Sequence, residues 1–223
     1  MHNICNWIYH IKVLKIKMRK IIGFFCLLIS TATFAQTNNN ADSIFTHKYT
    51  IILDAGHGGN DTGVKTDEFQ EKDIVLNIAN VIKDNNPSSN INFVMLRNGD
   101  EQIINTQRAN KINELKPDLV LSLHVNYNIK ETVEGTETHV SPMNAFYDKA
   151  KELAEKISTN ISSLGFKNLG VIDTNSKVLR DSKTPTVMIE IGYLTNDADR
   201  KYLTNDKNYI NIAKQIYKAL GLN

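Results

Sequence analysis

The run Asp118-Leu-Val-Leu-Ser-Leu-His124 constrains the fold more than any other stretch. It is almost continuously apolar. A strand of that kind has to be covered on both faces, which places it inside a sheet with helices on either side. Its surroundings agree. Strand patterns over residues 50–54, 91–96, 135–140, 176–180 and 186–191 alternate with helical patterns over 71–84, 105–115, 144–164 and 209–220. In the first helix Ile74, Ile78 and Ile82 recur every fourth residue, the spacing of a helix with one buried face. The 135–140 segment mixes apolar with polar residues and is expected at a sheet edge. Such alternation predicts an α/β fold: one domain on a mostly parallel twisted sheet, with helices on both faces.

The N-terminus follows a different logic. Lys15, Lys17, Arg19 and Lys20 precede an apolar run over 21–29, and Ser30-Thr-Ala-Thr-Phe-Ala35 follows it. A basic segment, an apolar segment and small residues are the layout of a secretory signal peptide, here cleaved after Ala35. The apolar run is shorter than the roughly 20 residues a membrane span needs. Met18 would open a compact signal by itself, so residues 1–17 read as an upstream extension of the frame or as a longer basic region. Cys26 lies within the apolar run behind Phe24-Phe25, which does not suit a lipoprotein. Residues 36–48 are a polar, flexible lead-in with His47 as a solvated histidine, and the folded domain is expected over 49–223.

Export changes the charge argument. Residues 1–35 hold five basic and no acidic residues, which leaves 21 basic and 24 acidic residues and a formal charge of −3. The net positive charge of the whole chain therefore belongs to the targeting segment, and nothing favours a nucleic-acid partner. Both cysteines, Cys5 and Cys26, fall in the same segment. Any metal site must then be built from histidines and carboxylates.

Ligands of open α/β sheets bind outside the carboxyl ends of the strands. Four polar residues fall there. His57 stands on the glycine-rich turn Asp54-Ala-Gly-His-Gly-Gly59, Glu71 opens the first helix, His124 ends the central strand, and Glu190 sits among Met188, Ile189 and Ile191. Each alone has an ordinary structural use: a hydrogen-bonded strand-end histidine, a glutamate at a helix N-terminus, a salt-bridged glutamate in a strand. Together they suggest more. Two imidazoles and one carboxylate are the usual ligands of a catalytic zinc, with a fourth position open to water. A further carboxylate beside that water is the general base a zinc hydrolase needs. The wide spacing of His57, Glu71 and His124 is not one of the short helical zinc motifs.

Asp54-Ala-Gly-His-Gly-Gly59, Glu71-Lys-Asp73, Ser122-Leu-His124 with Asn126, and Glu190-Ile-Gly-Tyr-Leu-Thr-Asn196 occur in an order that resembles the zinc-dependent N-acetylmuramoyl-L-alanine amidases of the amidase 3 type. Val178-Leu-Arg180 before Pro185 is a further point of similarity. The resemblance runs from Tyr49 almost to the C-terminus. It implies a sheet of six strands, Zn2+ held by His57, Glu71 and His124, and Glu190 as the catalytic carboxylate. It also implies hydrolysis of the amide between the lactyl group of N-acetylmuramic acid and L-alanine. Asn126 and Arg180 are expected substrate contacts, Arg180 through a peptide carboxylate. Asp54 is expected to support His57 or hold the turn, and His139 to be structural or solvent-facing.

Two departures stand out. The family often has Asp-Pro-Gly where this chain has Asp61-Thr-Gly63, which removes the fixed φ of proline. Some members insert a long regulatory segment after the strand equivalent to 135–140. Here Ser141-Pro-Met-Asn144 leads directly into the next helix, so a built-in helix blocking the site is not expected. No appended wall-binding domain is expected, because the domain fills the mature chain. Peptidoglycan is the expected partner and an activator protein a further candidate, with a monomer in the periplasm or cell envelope. The same ligands would also serve a zinc peptidase or carboxypeptidase acting on stem peptides. A non-catalytic wall-binding adaptor on the same fold is the alternative outside enzymes.

Overall fold

A computed structural model describes residues 48–222. The expected signal peptide and nearly all of the lead-in lie outside the described residues. In chain order the elements are β1 (Tyr49–Ala55), α1 (Glu71–Asp84), β2 (Ile91–Met95), α2 (Asn105–Leu115), β3 (Leu119–Asn126), β4 (Thr136–Val140), α3 (Tyr147–Ser162), β5 (Asn168–Asp173), α4 (Lys177–Asp181), β6 (Thr186–Tyr193), α5 (Asp197–Leu203) and α6 (Tyr209–Ala219). The six strands form one sheet in the order β2-β1-β3-β6-β4-β5. All neighbours are parallel except β4 and β6. Among the described residues no helix is long and apolar enough to cross a membrane.

Alternation along the strands sends successive side chains to opposite faces. One face carries Leu53, Leu121, Leu123, Val187 and Ile189, which pack against the apolar stripes of α1, α3 and α6 in the main core. The opposite face carries Ile52 and Val120, covered by Ile112 of α2 and Val178 of α4. That second layer is small and is completed by Leu96 and Val94 beside β1. Beyond it, toward the carboxyl ends of the strands, the same face turns polar. Asp54, Ser122, Met188 and His139 lie in one register row, and His124, Glu190 and Glu137 in the next. The chain leaves β1 for α1 on one face and reaches β3 through α2 on the other. The β1–β3 boundary is thus a topological switch point, where such sheets open a crevice.

Residues 176–180 do not form a strand but lie in and just before helix α4. The Arg180 amide donates to the Ser176 carbonyl (2.9 Å). Val178 and Leu179 are consecutive and both buried, and Lys177 pairs with Asp181 one turn on (2.6 Å). The sixth strand is instead β5. Its sequence Asn-Leu-Gly-Val-Ile-Asp buries no residue fully, so main-chain pairing to β4 rather than apolar pressure makes it a strand. Because β5 lies outside it, β4 is an interior strand and not an edge.

The third long helix starts at Tyr147 and not at residue 144. Asn144 is buried in the preceding turn, where its amide donates to the carbonyls of Leu179 (2.7 Å) and Ser182 (2.8 Å). It ties that turn to α4.

Candidate active site

The glycine turn after β1 is built to hold His57 in a left-handed conformation, φ 57°. A non-glycine residue there costs on the order of 1–2 kcal/mol. Two buried guanidinium groups hold the backbone in that shape. Arg97 donates to the carbonyls of Ala55 (2.9 Å), Gly56 (2.9 Å) and Lys72 (2.7 Å). Arg108 donates to the carbonyls of Ala55 (2.8 Å) and His57. Arg108 is itself neutralised by Asp54, which also accepts from Ser122 Oγ (2.8 Å). Asp54 therefore holds the turn, through Arg108, and is not the residue that touches the imidazole. Asp61 fills that place, with its Oδ1 2.9 Å from His57 Nδ1.

With Nδ1 held by Asp61, His57 turns Nε2 toward Glu71 Oε1 at 3.0 Å. His124 Nδ1 reaches the same oxygen at 2.9 Å. The amides of Val125 (3.1 Å) and Val64 (2.9 Å) donate to the two oxygens of Glu71 and fix the carboxylate. The three side chains offer donor atoms that all lie within 4.8 Å of one another. Two imidazole nitrogens and a carboxylate oxygen at this separation fit a tetrahedral cation such as zinc. The surrounding glycines fit it too. A Cβ on Gly56 would stand 2.3 Å from the His124 ring, and one on Gly63 would stand 2.4 Å from Glu71 Oε2. Any side chain at either position would displace a donor.

The electrostatics of this group follow from burial and mutual contact. Burial pushes the Glu71 carboxyl up, but hydrogen bonds from His124 and His57 outweigh it and bring Glu71 down to about 2. Burial alone would depress His57 and His124, and the Glu71 carboxylate reverses this and raises both above the usual imidazole value. In metal-free protein, the raised histidines contribute stability that is complete below the unfolded value near 6.5 and is lost as pH rises through their folded values. Glu71 contributes stability present above about 4.5 and lost as pH falls toward about 2. A metal ion competes with protons for the same lone pairs. The thermal stabilisation produced by added zinc should accordingly be large at about pH 8 and shrink toward about pH 6. A melting-temperature shift independent of pH over that range would contradict the assignment of the imidazoles as donors.

Glu190 is the register partner of His124 on the adjacent strand. Its Oε2 is buried without a hydrogen-bond partner. Leaving a buried acceptor unsatisfied costs about 1–3 kcal/mol, so this position works against stability. Burial pushes the Glu190 carboxyl above its ordinary value, nearby His124 pulls it down, and Glu71 pushes it up. A carboxyl group with raised proton affinity beside the His57–Glu71–His124 cluster is suited to exchanging protons with water.

A cleft of about 270 Å³ adjoins the site, floored by Ser122 and Met188 and walled by Ile103, Ile104, Val178 and the two histidines. The structure thus brings His57, Glu71, His124 and Glu190 to one end of the sheet. Of the two expected substrate contacts, Asn126 lies at the end of β3, where its amide donates to Glu137 Oε1 (2.8 Å) and its Oδ1 accepts from the Tyr127 amide (2.8 Å). Arg180 is on α4 and does not line the cleft. Its guanidinium donates to Asp181 (2.7 Å) and Asn175 (2.9 Å). Arg97, Arg108, Asp61 and Glu137 were not singled out from sequence. Two of them left a trace there: Asp61 opens the Asp61-Thr-Gly63 turn, and Arg108 lies one turn before Ile112, on the stripe of α2 that the sheet buries.

The domain shares its fold with solved amidases. A crystal structure of an N-acetylmuramoyl-L-alanine amidase from Clostridium difficile 630 is 32% identical, with a TM-score of 0.74 over 78% of this chain and 96% of that one. The CwlD amidase from Clostridioides difficile, solved in complex with the GerS lipoprotein, is 26% identical with a TM-score of 0.71, over 78% of this chain and 96% of that one. Among sequences, the N-acetylmuramoyl-L-alanine amidase LytC of Bacillus subtilis is 32% identical over 157 residues, 69% of this chain but only 31% of LytC. Residues 51–221 match the family model described as N-acetylmuramoyl-L-alanine amidase. The chain belongs to that family.

Proposed function

We propose that this protein hydrolyses the amide between the lactyl group of N-acetylmuramic acid and L-alanine in peptidoglycan, with Zn2+ as its cofactor. The observation that carries the reading is the convergence of His57, Glu71 and His124 within 4.8 Å, with Glu190 in register beside His124. His57, Glu71 and His124 would hold the ion. Zinc bound there supplies Lewis-acid polarisation of the carbonyl and a water of lowered pKa, near 7 in well-studied enzymes. Glu190 accepts the proton of the attacking water as the new C–O bond forms. It then delivers that proton to the alanine nitrogen as the C–N bond breaks, because an amine leaves poorly as an anion. The buried Arg97 and Arg108 keep the His57 turn rigid throughout. Export to the periplasm or cell envelope fits this substrate and is supported by the signal-like residues 21–35. The complex formed by the related CwlD amidase supports a protein partner as a candidate here as well.

Metal analysis of purified protein tests the cofactor. After zinc reconstitution and dialysis the parent should retain about one zinc per chain. His124→Ala should retain almost none, while its helix and sheet signals in circular dichroism stay unchanged. Full metal content in His124→Ala, or none in the parent, overturns the site.

A further inference from the structure

Next to Glu190 the structure holds an ordered polar group that the hydrolytic scheme does not use. Glu137 of β4 is the register partner of Glu190 across the antiparallel β4–β6 pair. Two carboxylates directly opposite each other repel unless one is compensated, and the compensation is one-sided. Glu137 Oε1 accepts from Asn126 Nδ2 (2.8 Å) and lies 3.0 Å from His139 Nε2, whereas Glu190 Oε2 has no partner. Glu137 and His139 are side chains i and i+2 of one strand and therefore share a face, the open one. His139 is in register with Met188, which floors the cleft.

These contacts fix the His139 ring. A carboxylate facing Nε2 selects the tautomer with the proton on Nε2. Nδ1 is then left as a lone-pair acceptor, and it has no hydrogen-bond partner among the described residues. The side chains of His139 and Glu137 are 19% and 14% exposed, so the pair is held by packing yet open to solvent, one strand over from Met188 at the cleft floor. An oriented acceptor one strand away from Glu190 suits an N–H donor. The proposed substrate carries such donors on either side of the scissile bond, in the acetamido group of the sugar and in the next peptide amide.

We propose that His139 is a substrate-binding residue whose Nδ1 accepts a hydrogen bond from an amide N–H flanking the scissile bond, and that Glu137 is its positioning residue. This rests on the amidase reading above. Glu137 acts through the ring and not on the substrate, so its effect should vanish once the imidazole is gone.

The test uses N-acetylmuramoyl-L-alanyl-D-isoglutamine as ligand and the zinc-loaded protein carrying Glu190→Gln to prevent turnover. In that background His139→Phe should weaken binding about tenfold, the size of one neutral hydrogen bond, with unchanged zinc content and melting temperature. Glu137→Gln should weaken it by a smaller factor, and adding it to His139→Phe should cost nothing further. In the active protein His139→Phe should lower kcat/KM on peptidoglycan by a similar factor. Unchanged binding in His139→Phe, or fully additive losses in the double variant, would overturn the proposal. The amidase reading is judged separately, by whether the parent releases L-alanine-terminated peptides at all. A parent that does so alongside a fully active His139→Phe variant sinks only this inference.

Discussion

Replacing Glu190 with glutamine should reduce turnover of peptidoglycan by about 10³-fold or more, since general acid–base catalysis alone contributes roughly 10²–10⁴-fold and Glu190 serves both the attack and the departure of the amine. Glutamine keeps the shape and cannot carry the proton. Structural damage should be slight. The buried Oε2 makes no hydrogen bond in the parent, and a neutral amide avoids the cost of a buried charge beside Glu71 and Glu137. The variant should therefore melt at or above the parent temperature and bind the same amount of zinc. Single-turnover assays on purified peptidoglycan, with metal analysis on the same sample, separate the cases. Activity within tenfold of the parent would remove Glu190 from the mechanism. Lost zinc would make it a ligand or a structural support instead.

The second large effect is expected at Arg108. Both it and Asp54 are buried, at 3% and 0% exposure, and each is the other's charge partner. Arg108→Met removes one charge and leaves Asp54 with Ser122 as its remaining side-chain partner. Breaking a buried pair from one side typically costs about 3–5 kcal/mol. The same change frees the carbonyls of Ala55 and His57, so the left-handed turn loses part of its restraint and zinc affinity should fall too. Urea denaturation should show the loss in full. The double variant Arg108→Met with Asp54→Asn should be more stable than the two single losses summed, because the unpaired buried charge is gone. A loss below about 1 kcal/mol in Arg108→Met would show that the pair contributes little to the native state.

Much of this arrangement was legible in the chain. The apolar run ending at His124 was enough to require a covered sheet, and helix α2 runs from Asn105 to Leu115 as its pattern predicts. Candidate donors could be named because carboxyl ends of strands are where such folds expose polar groups. What the sequence hid was anything that depends on contacts distant along the chain. β5 has little apolar character and exists through its pairing with β4. Segment 176–180 is too short for periodicity to separate helix from strand, and burial of both Val178 and Leu179 decides for helix. Arg97 binds carbonyls 41 and 42 residues away, and no local pattern announces that. Asn126 and Arg180 are named by their place in the family motifs, yet in the fold Asn126 turns to Glu137 and Arg180 to Asp181.

Product analysis of whole peptidoglycan digested by the zinc-loaded protein tests the central proposal most directly. Mass spectrometry should find glycan strands with free lactyl carboxyl groups and intact stem peptides that begin at L-alanine. Stem peptides shortened from the other end, with the muramoyl–alanine amide preserved, would make the protein a peptidase. Binding without release of any fragment would make it an adaptor, and either result would contradict the amidase assignment.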